Sequence, residues 1–202
     1  VDMRLATAYA LSPRFIVGGG VHFLTGSNRM STRRVWADDD YAALEERAEL
    51  SYHTIGFSGG VLLRPTPRID LAATIRRDGT LQIERDSTPS SKVAMPMTIS
   101  GAARLHLSRS LDLAGSVTLR NWSRADEGLV GAGAVGSRDT KEYSAGIELF
   151  SDARRTANKP LRIGVRYADL PFLLDATGQP NELGISIGSG VRFARDLGGL
   201  DI

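Results

Sequence analysis

Leu161-Arg-Ile-Gly-Val-Arg-Tyr167 decides how this chain is read. Every second residue is apolar: Leu161, Ile163, Val165 and Tyr167 share one face, while Arg162, Gly164 and Arg166 share the other. Side chains alternate across a strand, so this segment has one greasy and one cationic face. Leu183, Ile185, Ile187, Val191 and Phe193 repeat the rhythm against Gly184, Ser186, Gly188, Gly190 and Arg192. A chain that reads this way throughout is expected to be all-β, an antiparallel transmembrane β-barrel with lipid outside and a polar lumen inside.

Working outward, strands are expected at 3–11, 14–25, 50–64, 69–84, 95–108, 111–122, 141–150, 161–169, 182–194 and 199–202. Most are longer than the five or six residues usual in soluble sheets, and long enough to cross a membrane at a tilt. Their connectors sort by length. Ser12-Pro13, Pro65-Thr-Pro-Arg68 and Ser108-Arg-Ser110 are short and rich in turn residues, with Asp152–Pro160 and Arg195–Gly198 somewhat longer. The connectors 26–49, 85–94, 123–140 and 170–181 are long. Membrane barrels sort their turns and external loops in this way. Residues 1–202 are therefore expected to form part of a single barrel domain, with 26–49 as a long external loop. Within that loop Asp38 or Asp39 could cap a short helix carrying Tyr41, Leu44 and Ala48 on one face.

The outward face is expected to carry Leu5, Tyr9, Val17, Val21, Phe23, Ile55, Phe57, Val61, Ile75, Ile99, Val117, Leu119 and Ile147. The inward face is expected to carry Arg4, His22, Asp70, Arg76, Arg104, His106, Asp112, Arg120, Glu142 and Glu148. Charges of both signs on one face suit a water-holding or plugged lumen and not a packed core, where unpaired charges are costly. A half-exposed sheet of a soluble sandwich or lipocalin-like binding module also alternates, and stays open as an alternative. Tyr143, Tyr167, Phe172, Trp122 and Trp36 lie near strand ends, where aromatic girdles form.

Composition sets further bounds. The 202 residues are 42% hydrophobic with a mean hydropathy of −0.14, and no run is long enough for a membrane helix. That is compatible with barrel strands, which are apolar only at alternate positions. The absence of cysteine excludes disulfides and thiolate metal sites. A net charge of +2, spread one basic residue at a time, gives no nucleic-acid footprint. Gly131-Ala-Gly-Ala-Val-Gly136 is a literal GxGxxG, but it precedes a strand, whereas a dinucleotide site needs a helix N-terminus after the glycines. His22, His53 and His106 sit on different strands without ligand spacing, and none has a nucleophile and orienter in a recognisable arrangement. No metal, cofactor or catalytic residue is expected, and the chain is not read as an enzyme. Both ends fall in strand rhythm, so the chain is expected to be an internal piece of a longer barrel with its targeting segment upstream.

An ordered set of signatures resembles the FadL/TodX family of outer-membrane transporters for long-chain fatty acids and hydrocarbons. Met95-Pro96 opens a strand running to Gly101 and Leu105. Leu111-Asp-Leu-Ala-Gly-Ser-Val-Thr-Leu-Arg-Asn-Trp-Ser123 is similar to a family strand ending in Trp-Ser. Tyr143-Ser-Ala-Gly-Ile-Glu-Leu149 follows, and Arg162-Ile-Gly-Val-Arg-Tyr167 with Pro171 resembles an R-x-G-x-x-Y strand entering a Pro-bearing loop. Glu182–Gly190 and Leu200-Asp-Ile202 resemble the penultimate strands.

The resemblance implies a barrel of about fourteen strands, of which this chain would supply about ten, without the hatch that plugs the family's lumen. It also implies uptake of hydrophobic molecules by a monomeric barrel set among membrane lipid and lipopolysaccharide in the bacterial outer membrane. Val35, Trp36, Tyr41 and Leu44 are the residues expected along the ligand path. A general diffusion porin or structural barrel is the other membrane alternative.

Overall fold

The computed structural model describes residues 1–34, 44–85, 88–131, 136–149, 160–173, 178–193 and 198–201. The strands are β1 (Asp2–Ser12), β2 (Phe15–Arg34), β3 (Leu44–Thr66), β4 (Ile69–Asp78), β5 (Thr80–Arg85) and β6 (Thr88–Ala94). They continue with β7 (Met97–His106), β8 (Leu111–Asn121), β9 (Thr140–Leu149), β10 (Leu161–Asp169), β11 (Asn181–Phe193) and β12 (Gly198–Asp201). Ten of them form one continuous path, β1-β2-β3-β4-β7-β8-β9-β10-β11-β12, every neighbour antiparallel. β5 pairs with β3 and β6 off this path.

The expected strands at 161–169 and 182–194 fall where the alternation put them. The strand expected at 95–108 narrows to β7 because Pro96 has no N–H to give to a ladder. The strand expected over 69–84 is divided at Gly79, between β4 and β5.

Two expected loops are corrected. Residues 26–34 and 44–49, expected in a loop with a helix, extend the β2–β3 ladder as far as Arg34↔Leu44. Opposite charges across the ladder explain this, since facing pairs stabilise a sheet. Arg29 faces Glu49 at 3.2 Å, and Arg33 faces Glu45 in register. The Tyr52 ring covers Gly26, so the glycine does not leave a gap in the hairpin. Residues 35–43 lie outside the described part. Likewise 85–94, expected as a loop, forms the β5–β6 hairpin apart from residues 86 and 87. Pro89 is tolerated there because β6 pairs on one side only.

The connector 123–140 holds the helices of the described part, a 3₁₀ turn (Trp122–Ala125) and α1 (Asp126–Gly131). Asp126 and Glu127 sit in the first turn of α1, where acidic side chains favour a helix. Asp126 also accepts the Ser137 N–H at 2.6 Å, which folds the connector back on itself. Trp122 stacks edge-on against Phe172 at 5.6 Å and Ala125 is fully buried, so this connector forms a small packed cap at the loop end.

The sheet has no conventional core. Among the described residues the buried hydrophobic ones are Val93, Ala125 and Ala168. Large apolar side chains stand exposed instead: Leu5 is 74% exposed, Phe57 62% and Ile185 78%. A soluble sandwich would bury one sheet face, and a soluble surface rarely carries so large an apolar area. On the outward face no charge interrupts the rows from the turns up to Arg77, Lys141 and Asp169 at the loop end. On β4 that row is Ile69, Leu71, Ala73 and Ile75. At about 3.3 Å per residue and a tilt near 40°, such rows span roughly 20 Å of height, close to the apolar band of a membrane barrel. The fold is an antiparallel transmembrane β-barrel wall.

Candidate functional site

The opposite face is polar and concave. Asp2 on β1 meets Arg76 on β4 at 3.7 Å although β2 and β3 lie between them. In a flat sheet those strands would be about 14 Å apart, so the wall curls toward its charged face. This is the lumen face that the alternation assigned to Arg4, His22, Asp70, Arg76, Arg104, His106, Asp112, Arg120, Glu142 and Glu148.

The lumen charges form two belts. Toward the loop end Arg4 binds Asp2 at 2.7 Å and Arg76 binds Asp78 at 2.8 Å. In the same belt Glu142 accepts Arg120 at 2.9 Å and Arg166 at 3.0 Å, and Arg166 reaches Glu182 at 3.2 Å. Gly56 makes room here, since a Cβ would run into the Asp78 carboxylate. Four arginines and four carboxylates balance this belt.

Toward the turn end Asp70 is shared by Arg64 at 3.5 Å and His106 at 3.4 Å. His106 also holds Asp112 at 2.9 Å, and Arg162 holds Glu148 at 3.1 Å. Arg104 lies directly opposite Asp70 in register, yet among the described residues it has no acidic partner.

Between the belts the wall is almost bare. Facing rows read Ala72↔Ala102↔Ser116↔Ser144 and Thr74↔Ser100↔Thr118. Gly146 opposite Gly164, with Ser186, continues the band. The result is a trough of about 620 Å³ lined mainly by alanine, glycine and serine, with Arg104 and Asp70 at one end and Arg166 at the other. Small side chains leave lumen space that the alternation alone could not size.

Val35, Trp36 and Tyr41 lie outside the described residues, and Leu44 opens β3 at the far end of the long hairpin. Over its described parts, 26–34 and 44–49, the 26–49 segment is an extended ladder.

The remaining motifs separate. Gly131 ends α1, and residues 132–135 lie outside the described part; Gly136 has φ +137°. A helix that stops at the first glycine offers its carbonyl end, opposite to the polarity a phosphate needs. His22 Nε2 and Ser58 Oγ are 2.7 Å apart on the lumen face, far along the wall from His106. Among the described residues no group of three or more His, Asp or Glu side chains could hold a metal ion. Tyr143 and Tyr167 face each other outward at the loop-side edge of the apolar band, as a girdle requires. Trp122 and Phe172 belong instead to the packed cap.

No family model and no curated relative matches the sequence. Solved structures do. A Pseudomonas aeruginosa FadL homologue is similar over 95% of this chain and 55% of that chain, with TM-score 0.65 and 15% identity. The CymD monoaromatic hydrocarbon channel is similar over 96% of this chain and 64% of that chain, with TM-score 0.56 and 15% identity. This chain therefore spans a little over half the length of the barrels it resembles. At this identity the likeness is one of fold, and it agrees with the fold that the strand signatures implied: the chain has the fold of a FadL-like transmembrane β-barrel wall.

Proposed function

We propose that this chain forms part of a bacterial outer-membrane channel that takes up hydrophobic molecules, long-chain fatty acids among them. The observation that carries the reading is the trough of small residues between two charged belts, on a wall whose outside is exposed and apolar. The fold shared with a hydrocarbon channel supports it. In this reading the barrel stands as a monomer among membrane lipid and lipopolysaccharide, binds a hydrophobic small molecule and catalyses no reaction. Carboxylates already paired with arginines pull weakly on passing ions, so the lumen is not built as an open ion filter.

The test is purification from outer membranes in mild detergent, with mass spectrometry of co-purified lipids. Enriched fatty acids or hydrocarbons, reduced when residues 35–43 are deleted, support uptake. A heat-modifiable barrel with no apolar cargo but steady ion conductance would replace this reading with a general porin. Recovery in the soluble fraction would refute both.

A further inference from the structure

We propose that His106 is a proton-operated switch at the turn end of the lumen. Protonated, it ties Asp70 on β4 to Asp112 on β8; neutral, it keeps Asp112 and releases Asp70 to Arg104. The inference goes beyond the uptake reading and does not depend on the cargo. His106 ends β7, with Nδ1 2.9 Å from an Asp112 oxygen and Nε2 3.4 Å from an Asp70 oxygen. An ionised carboxylate only accepts hydrogen bonds, so both ring nitrogens must donate, and only the imidazolium carries two N–H groups. The other two histidines have no such setting: His22 faces the Ser58 hydroxyl, and His53 stands exposed.

Burial makes the two carboxylates unequal. The Asp112 side chain is 9% exposed and, among the described residues, its ionic partner is His106. The Asp70 side chain is 26% exposed, with Arg64 at 3.5 Å and Arg104 directly opposite in register. A neutral ring retains one N–H. The shorter bond to the buried carboxylate keeps it, because stranding that group costs more than releasing an accessible one. Nε2 then turns a lone pair toward Asp70, a repulsive contact, while Arg104 offers an attractive one. The surrounding charges do not take over the bridge. Glu148, facing Asp112 from β9, is held by Arg162. Arg14 shares a pocket with Arg64, Asp70 and His106, while Arg68 and Arg109 lie in the adjoining turns. Asp70 and Arg104 both line one end of the trough, so the hand-over changes the charge presented there.

Histidine-selective nitrogen NMR of the purified barrel in nanodiscs reads the ring directly, at about pH 5.5 and about pH 8.5, either side of the histidine range. Both ring nitrogens of His106 should carry protons at the lower pH, and Nδ1 alone at the higher. His106→Gln assigns the signal; should that variant not form a barrel, His22→Gln and His53→Gln assign it by elimination. A double-variant cycle of Asp70→Asn and Arg104→Gln, read by urea unfolding in liposomes, measures the hand-over. Its coupling should be negligible at the lower pH and about threefold in the folding equilibrium at the higher. Equal coupling at the two pH values would overturn the switch. So would a ring that keeps one protonation state throughout, or a neutral ring protonated at Nε2. Heat-modifiable migration of each variant shows that its barrel has formed.

Discussion

Ala73 and Thr74 are neighbours on β4 with opposite fates, and exchanging each for arginine tests the assignment of faces. Ala73 points outward between Val61 and Gly101. It lies four residues from Arg77 at the loop-side limit and four from Ile69 near the turn. At about 3.3 Å per residue and a tilt near 40°, that places it roughly 10 Å below the polar edge, close to the bilayer midplane. Ala73→Arg is small-to-large on an exposed face, so packing strain is minor and the cost is the transfer of a guanidinium to lipid depth. That cost is about 3 kcal/mol, or roughly 150-fold in the folding equilibrium. Thr74 faces the lumen between Gly60 and Ser100. Thr74→Arg meets water and one like charge two residues away, at Arg76, and should stay within about 1 kcal/mol. The assay is urea unfolding in liposomes followed by tryptophan fluorescence, with heat-modifiable gel migration as an independent report. Equal losses at the two sites, or a larger loss at Thr74, would refute the assignment of lipid and lumen faces.

Three further substitutions probe other parts of the wall. Glu142→Gln removes the carboxylate shared by Arg120 and Arg166; it should cost about 1 kcal/mol at low salt and less at high salt, read by the same unfolding assay. Gly136→Ala places a Cβ on a backbone with φ +137°, 3.3 Å from the Asp126 carboxylate that holds Ser137, and should cost about 1–3 kcal/mol. Its effect should be local, seen as faster hydrogen exchange over residues 122–139 with β7 and β8 unchanged. Glu49→Arg sets two arginines face to face on the β2–β3 extension and should cost about 1 kcal/mol, with exchange rising in residues 26–34 and not in 15–23.

The barrel wall was legible because its decisive signal is local. Leu161–Tyr167 and Leu183–Ile187 alternate without interruption, and the outward and inward sets read from them match the registers of β9, β10 and β11. The long hairpin was not legible because its upper part alternates between polar residues. Tyr41, Leu44 and Ala48 fit a helical face, while Glu45, Arg47 and Glu49 fit one face of a strand equally well. The choice is made by Arg33 opposite Glu45 and Arg29 opposite Glu49, 12 and 20 residues away along the chain, across the ladder. The short helix at 126–131 was missed because six residues carry too little periodicity to stand out from a polar loop. The charged lumen face could be read from sequence, but the partnerships within it could not. Asp70 is opposite Arg104 in register and still serves Arg64 and His106, which only the three-dimensional wall decides.

If the channel takes up hydrophobic molecules as proposed, the division of the lumen into paired belts and a bare middle bears on how they move. A continuous greasy lining would bind an apolar solute along its whole length and release it slowly. A continuous charged lining would exclude it. Alanine, glycine and serine do neither: a solute covering roughly 100 Å² of such wall gains about 2.5 kcal/mol at most, enough to dwell and too little to be trapped. The belts on either side hold their charges against one another, so a passing apolar body does not have to strip a free ion of its water.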